Sequence, residues 1–80
     1  MPKVFEYNGF KFFFLSNEGD PREPVHVHVS KGDGLAKVWI EPRIAMDYSR
    51  GFSAADQRVI LGQVELQEEN IRRVWNEHFD

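Results

Sequence analysis

Hydrophobic and polar residues alternate along the first half of the chain and change to a helical spacing in the second half. Residues 3–40 have the period of two that is typical of β-strands, and residues 53–79 place apolar side chains four and seven positions apart. Strands that precede helical sequence indicate an α+β fold. We expect residues 1–80 to form a single domain in which a C-terminal helical segment packs on one face of an antiparallel sheet made of two consecutive β-hairpins.

The first hairpin is indicated by Asn8-Gly9, which lies between two apolar runs and favours a two-residue type I′ turn. Counting outward from this turn predicts four cross-strand pairs: Tyr7 with Phe10, Glu6 with Lys11, Phe5 with Phe12, and Val4 with Phe13. Because neighbouring side chains alternate between the faces of a strand, one face should carry five aromatic side chains. These are Phe5, Tyr7, Phe10, Phe12 and Phe14.

Residues 25–30 and 35–40 form the second predicted hairpin, with a turn at Gly32-Asp33 or at Asp33-Gly34. Both turns give the same alternation of side chains, so the assignment of faces does not depend on the choice between them. The apolar face, which we expect to enter the core, consists of Val25, Val27, Val29, Ala36, Val38 and Ile40. The opposite face consists of His26, His28, Ser30, Lys37 and Trp39.

A candidate fifth strand and a helix start follow the second hairpin. Ile44, Met46 and Tyr48 alternate with more polar residues, which is typical of a short edge strand. Ser53 is a suitable N-cap residue, and Asp56 three positions later can complete a capping box. The helical segment should therefore begin directly after Ser53.

The helical segment is too long to lie over the sheet as one straight helix. Unbroken, residues 54–79 would span about 39 Å, against about 20 Å for a typical strand. We expect either a break at Gly62, which gives two shorter helices, or a C-terminal overhang in which Trp75 and Phe79 need another surface. In both cases one apolar ridge should face the sheet, formed by Ile60, Val64, Ile71 and Trp75.

Two histidines on one strand are the most specific chemical feature of the sequence. His26 and His28 point to the same face and could bind one divalent metal ion, or act as acid–base groups while Lys37 stabilises developing negative charge. A third metal ligand would have to come from Asp33, Glu41, Glu18 or His78. The alternative is that both histidines are structural and are hydrogen-bonded or packed against Trp39.

The composition narrows the classes of function. The chain has 80 residues, a net charge of -3 and no cysteine, which excludes disulfides, thiolate zinc sites, iron–sulfur clusters and cysteine nucleophiles. We expect the protein to be cytoplasmic and not inserted in a membrane. No apolar run approaches the ~18 residues of a membrane-spanning helix, and no signal peptide is evident. Ten basic residues scattered among thirteen acidic ones do not favour nucleic-acid binding, although Lys37, Trp39 and the histidines could stack on single-stranded RNA.

Apolar surface in excess of what so short a chain can cover predicts a protein partner. The predicted sheet is apolar on both faces, and the C-terminal helical turns would overhang it unless the helical segment breaks at Gly62. We therefore expect a homo-oligomer, such as a homodimer, or a complex with a small protein. The candidate contact residues are Trp39, Trp75 and Phe79.

Four segments of the chain resemble one known family: residues 24–29 (PVHVHV), 34–42 (GLAKVWIEP), 51–53 (GFS) and 75–79 (WNEHF). They are similar to the bacterial domain-of-unknown-function family numbered 4160, and the resemblance spans nearly the whole chain. Val25 takes the place of the second of two prolines in the usual pattern of that family. The residues that match the motif, without an established role, are His26, His28, Lys37, Trp39 and Trp75.

The resemblance implies a small stand-alone protein, often encoded beside another short protein, with which it is suspected to form a toxin–antitoxin-like pair. It implies no enzymatic activity. Two functions therefore compete. The first is a protein-binding component of such a two-gene module. The second is a small hydrolase or nuclease that uses His26 and His28 as metal ligands or acid–base residues, with a divalent metal ion as the candidate cofactor.

Overall fold

Five strands and then two helices make up this α+β fold, in a computed structural model that describes residues 3–16 and 23–79. The elements are β1 (Lys3–Tyr7), β2 (Phe10–Phe13), β3 (His26–Lys31), β4 (Gly34–Trp39), β5 (Ala45–Arg50), α1 (Ala54–Leu66) and α2 (Glu68–Phe79). The strands form one antiparallel sheet in the order β1-β2-β3-β4-β5. The predicted fold class, including the fifth strand, is confirmed.

The first hairpin has the predicted turn and most of the predicted register. Asn8 (φ 47°) and Gly9 (φ 83°) both have positive φ, as a type I′ turn requires. Three of the expected pairs form: Tyr7 with Phe10, Glu6 with Lys11, and Phe5 with Phe12. The fourth pair was wrong, because a β-bulge makes Val4 an extra residue and Lys3 pairs with Phe13 instead.

The second hairpin confirms the predicted faces. Lys31 pairs with Gly34, so the turn residues are Gly32 and Asp33. The apolar residues of both strands share the face that the helices cover, which we call the inner face; the opposite side is the outer face. Gly34 is also buried on the inner face. The ring of Phe52 packs so closely on it that a Cβ atom at this position would collide with the ring. On the inner face lie the buried residues Val25, Val27, Val29, Ala36, Val38 and Ile40.

The edge strand β5 extends further than the pattern predicted, through Arg50. It follows a connection that contains a cis peptide bond between Glu41 and Pro42. Within β5, Met46 pairs with Val38 and Tyr48 pairs with Lys37, so Asp47 is the extra residue of a second β-bulge.

The helical segment divides into two helices, but not at Gly62. Ser53 caps α1 as predicted: its hydroxyl accepts a hydrogen bond from the Asp56 amide at 3.0 Å, and the Asp56 carboxylate accepts one from the Ser53 amide at 3.3 Å. The break lies at Gln67, between α1 and α2. Gly62 lies inside α1, where a glycine weakens a helix by about 1 kcal/mol without ending it.

One hydrophobic core lies between the inner face and the two helices. The four residues of the predicted helical ridge are fully buried in it, namely Ile60, Val64, Ile71 and Trp75. The first hairpin adds Phe12, whose ring stacks on Phe5 with centroids 4.2 Å apart. Within residues 3–16 and 23–79, neither helix has the length and apolar character needed to cross a membrane.

Candidate functional site

Strands β3 and β4 bring four of the sequence-predicted site residues together on the outer face. Their register pairs His26 with Trp39 and His28 with Lys37, so all four side chains share one face. We call these four residues the outer-face cluster. The predicted juxtaposition of two imidazoles, an indole and an ammonium group is therefore confirmed. The burial and the contacts of these four side chains could not be derived from the alternation of residues along the strands.

His26 is fully buried and is fixed by its own chain. Its Nδ1 lies 2.9 Å from the carbonyl oxygen of Pro24, a distance at which Nδ1–H donates a hydrogen bond to that oxygen. His26 is the first residue of β3 and lies at the end of the sheet. There it contacts an aromatic ring of the sheet and another of the helix layer. The centroid of its ring lies 5.1 Å from that of Trp39 and 5.2 Å from that of Trp75 in α2. These contacts match the structural alternative considered for the histidines.

His28 is also buried, with 5% of its surface exposed, although it lies on the outer face. Its ring lies 5.7 Å from that of Phe13 on the neighbouring strand β2 and 5.3 Å from that of His26. The two imidazole planes meet at 83°, edge to face. The rings are thus not buried among the valines of the inner face, and the faces remain as predicted.

Lys37 is the charged member of the cluster, and its ammonium group has three neighbours. The Nζ atom lies 4.2 Å from the centroid of the Trp39 ring, which is a cation–π contact. It also lies 3.8 Å from a carboxylate oxygen of Asp47 and 4.0 Å from one of Glu23. The Lys37 side chain is 16% exposed, so the cation is held between an indole and two carboxylates.

Sequence reasoning missed both carboxylate partners of Lys37. The register of β4 with β5 depends on the bulge at Asp47, and an alternating pattern does not reveal where an extra residue is inserted. Glu23 precedes β3 in a connection whose conformation no hydrophobic pattern determines. The only sequence signal was that acidic residues occur near the second hairpin, with Glu23 before β3 and Asp47 within β5.

The predicted metal site gains no third ligand from the part of the chain that the structure describes. No group of three His, Asp, Glu or Cys residues suited to a metal ion occurs there. Of the four proposed third ligands, Glu41 binds Arg72, Asp33 lies in the β3–β4 turn, and the ring of His78 packs on Phe79. Glu18 lies outside the described residues.

Trp75 and Phe79 lie over the sheet, so the predicted overhang of the C-terminal turns was wrong. Trp75 is fully buried, and its ring contacts Phe14 and Phe79 with centroids 5.1 and 4.3 Å apart. Phe79 is half-buried and also faces Phe14 at 6.0 Å. The helical segment is interrupted at Gln67, between α1 and α2. Of the three predicted contact residues, Trp39 is the one on the outer face.

Arg72 connects α2 to the segment between β4 and β5. Its guanidinium donates hydrogen bonds to Glu41 at 2.8 Å and to Glu68 at 3.1 Å. Partial burial tends to lower the pKa of Arg72, but its hydrogen bonds with Glu68 and Glu41 raise the pKa, and the net direction is upward. The pair with Glu68 has the i,i+4 spacing of helix neighbours, whereas the pair with Glu41 could not be read from spacing.

Comparison with known proteins gives one result. The family model described as Domain of unknown function (DUF4160) matches residues 9–76, and the chain belongs to this family. The match confirms the resemblance that the sequence motifs indicated. No curated protein and no solved structure matches the chain.

Proposed function

We propose that this DUF4160 chain is a protein-binding component of a bacterial two-gene module of the toxin–antitoxin type, and that it works in the cytoplasm. In this proposal the outer face of the sheet, on its β4–β5 side, is the surface that receives the partner. The partner is a small protein from the adjacent gene, and a second copy of the chain is the other outcome to be tested.

The observation that carries the proposal is the unequal covering of the sheet. Both helices pack on the inner face, and no helix of the described residues lies on the outer face. Large apolar and aromatic side chains there are only partly buried, namely Phe13, Leu35, Trp39 and Tyr48. Aromatic residues are enriched in the centres of protein interfaces, where they contribute most of the binding free energy.

The charges on this surface also fit protein binding better than nucleic-acid binding. Lys37 is already engaged by Asp47, Glu23 and the face of Trp39. A base that stacked on the face of the indole that Lys37 covers would have to displace the ammonium group. Phosphate contacts need clustered, available cations. RNA binding is therefore not our proposal.

The competing function is a small hydrolase or nuclease. The feature that favours it is the cross-strand pair of His28 and Lys37, which places an imidazole beside an ammonium group on an outer face. His26 is less suited to chemistry, because its ring lies between two indoles and Nδ1 is bonded to Pro24. Replacing His28 with Gln and Lys37 with Met should abolish any cleavage of RNA or a model ester. Cleavage that survives both changes rules out His28 and Lys37 as its catalytic groups, and the absence of cleavage by the unchanged protein rules this function out.

The binding function is tested by co-expressing the chain with the product of its adjacent gene and measuring mass by light scattering after size exclusion. We expect a complex that Leu35→Glu and Tyr48→Glu each weaken about tenfold or more, because a carboxylate is then buried against the partner. Leu66→Glu is the matched control, since Leu66 is 78% exposed at the end of α1. A chain that stays monomeric alone and with that product contradicts the proposal, as does a complex that only Leu66→Glu weakens.

A further inference from the structure

A small pocket opens beside Trp39, where β4 ends and β5 begins. Its volume is about 280 Å³, and it is lined by Pro24, Trp39, Glu41, Pro42, Arg43 and Ala45. Pockets for drug-sized molecules usually hold roughly 300 to 1,000 Å³. The pocket therefore has the size for a single side chain or a small fragment. No part of the predicted histidine chemistry uses it.

The walls of this pocket are held in place by contacts within the chain. The Trp39 ring is fixed by His26, with centroids 5.1 Å apart, and by the Lys37 ammonium group at 4.2 Å. The Glu41 carboxylate accepts hydrogen bonds from Arg72 at 2.8 Å and from the Val25 amide at 3.4 Å. A site with walls already fixed loses little conformational entropy when it binds.

The two charged residues of the pocket are not equivalent. Glu41 is ion-paired with Arg72, which lies on the helix side and also binds Glu68. Arg43 is exposed and forms no ion pair within residues 3–16 and 23–79. Arg43 is thus the charged residue of the lining without an ion-pair partner in those ranges, and it lies beside an apolar wall formed by Trp39, Ala45 and two prolines.

We infer that this pocket receives an apolar side chain from an acidic segment of the partner protein. The side chain packs on Trp39 and Ala45, and a neighbouring carboxylate of the same segment pairs with Arg43. The pocket is large enough for one apolar side chain, and the Arg43 guanidinium, which has no ion-pair partner among the described residues, favours a negative neighbour. The inference rests on the proposed function, because it names the chemistry of the partner at the same outer face.

The first test uses peptides as probes, so that it does not depend on the natural partner. The acidic probe is Ac-Ser-Glu-Asp-Phe-Asp-Glu-Ser-amide, and its matched controls have Ala in place of Phe, or Lys and Asn in place of Glu and Asp. Binding is followed by ¹H–¹⁵N NMR. We expect the acidic Phe peptide to shift the Trp39 indole and the Arg43 and Ala45 amides, and to bind at least about tenfold more tightly than either control.

The second test reverses the charge at the rim. Arg43→Glu should weaken the acidic peptide about tenfold and should strengthen the basic peptide, because the favourable pairing is then inverted. Arg58→Glu is the matched control, since Arg58 is exposed on α1 and the change in net charge is identical. It should leave both affinities within about twofold. Circular dichroism of each variant checks whether the fold is retained.

Three results would overturn the inference: shifts confined to residues away from the pocket, equal binding of the acidic and basic peptides, or equal effects of the two arginine variants. Outer-face shifts caused by a single-stranded RNA oligomer, with none from the acidic peptide, would do the same and favour nucleic acid. A complex with the adjacent gene product that Arg43→Glu leaves intact removes this inference but not the proposed function. Peptide binding in the pocket without that complex removes the proposed function but not the pocket.

Discussion

The inner and outer faces of this sheet are built from the same strands, yet they are ordered by different interactions. On the inner face, Val27, Val29 and Val38 are fully buried by apolar packing against the helices. On the outer face, His26 and His28 are buried as well, but their neighbours are aromatic rings and a backbone carbonyl. Burial in this fold is therefore not restricted to the helix-covered face.

The outer face itself divides into two halves. Near β3 the imidazoles are enclosed, whereas Leu35, Trp39 and Tyr48 on β4 and β5 remain partly exposed. The comparison shows that His26 and His28 form the enclosed part of the outer face, next to partly exposed apolar side chains on β4 and β5.

The largest effect on stability is expected at Trp75, which lies in the core and contacts His26. Trp75→Ala should lower the free energy of unfolding by about 3–5 kcal/mol, because a large buried ring is removed. Trp75→Phe should cost much less. The Nε1 atom of Trp75 is buried and has no hydrogen-bond partner among the described residues, so Phe loses no bond there. Urea unfolding measures both, and an equal cost for the two variants would contradict this view of the ring.

A smaller effect is expected at Lys37, which orders the accessible half. Lys37→Met keeps the aliphatic stem but removes the charge over Trp39 and beside Asp47, and should cost about 1 kcal/mol. Lys11→Met is the control, because Lys11 shares the outer face but is exposed. We expect urea unfolding to show almost no effect for Lys11→Met. Equal losses of unfolding free energy for Lys37→Met and Lys11→Met would mean that the contacts of Lys37 with the indole and the carboxylates do not stabilise the fold.

The smallest effect is expected at the exposed β1 edge. A hydrogen bond from Lys3 at 3.0 Å, together with the charge of Lys3, lowers the pKa of Glu6 below its ordinary value of 4.5. A lowered folded-state pKa stabilises the protein above the ordinary pKa, and this contribution disappears as the pH falls through the folded-state value. Glu6→Gln should thus be slightly less stable than the parent at neutral pH and equal to it in strong acid. A difference that grows on acidification would contradict this sign.

Local patterns in the sequence were sufficient to assign the faces of the strands. Asn8-Gly9 and Gly32-Asp33 are tight turns, so counting residues outward places Phe12, Val27 and Lys37 on their correct sides. The capping box at Ser53 is local in the same sense. Features that depend on at most a few consecutive residues could be predicted.

Features that depend on how distant segments fit together could not be predicted. The bulges at Val4 and Asp47 shift the register between neighbouring strands, and the break at Gln67 divides the helical segment into two helices. The enclosure of His26 by Trp75 joins residues almost fifty positions apart. The ion pair between Glu41 and Arg72, which holds one wall of the pocket in place, also joins residues that are distant in the sequence.

The most direct test of the central claim is hydroxyl-radical footprinting of the chain, free and bound to the product of its adjacent gene, with mass spectrometry as the readout. We predict that complex formation protects Trp39, Tyr48 and Leu35 on the outer face, while Leu66 at the end of α1 keeps its full reactivity. Protection of Leu66 and Val59 on α1, with an unchanged outer face, would contradict the account and place the partner on the helices.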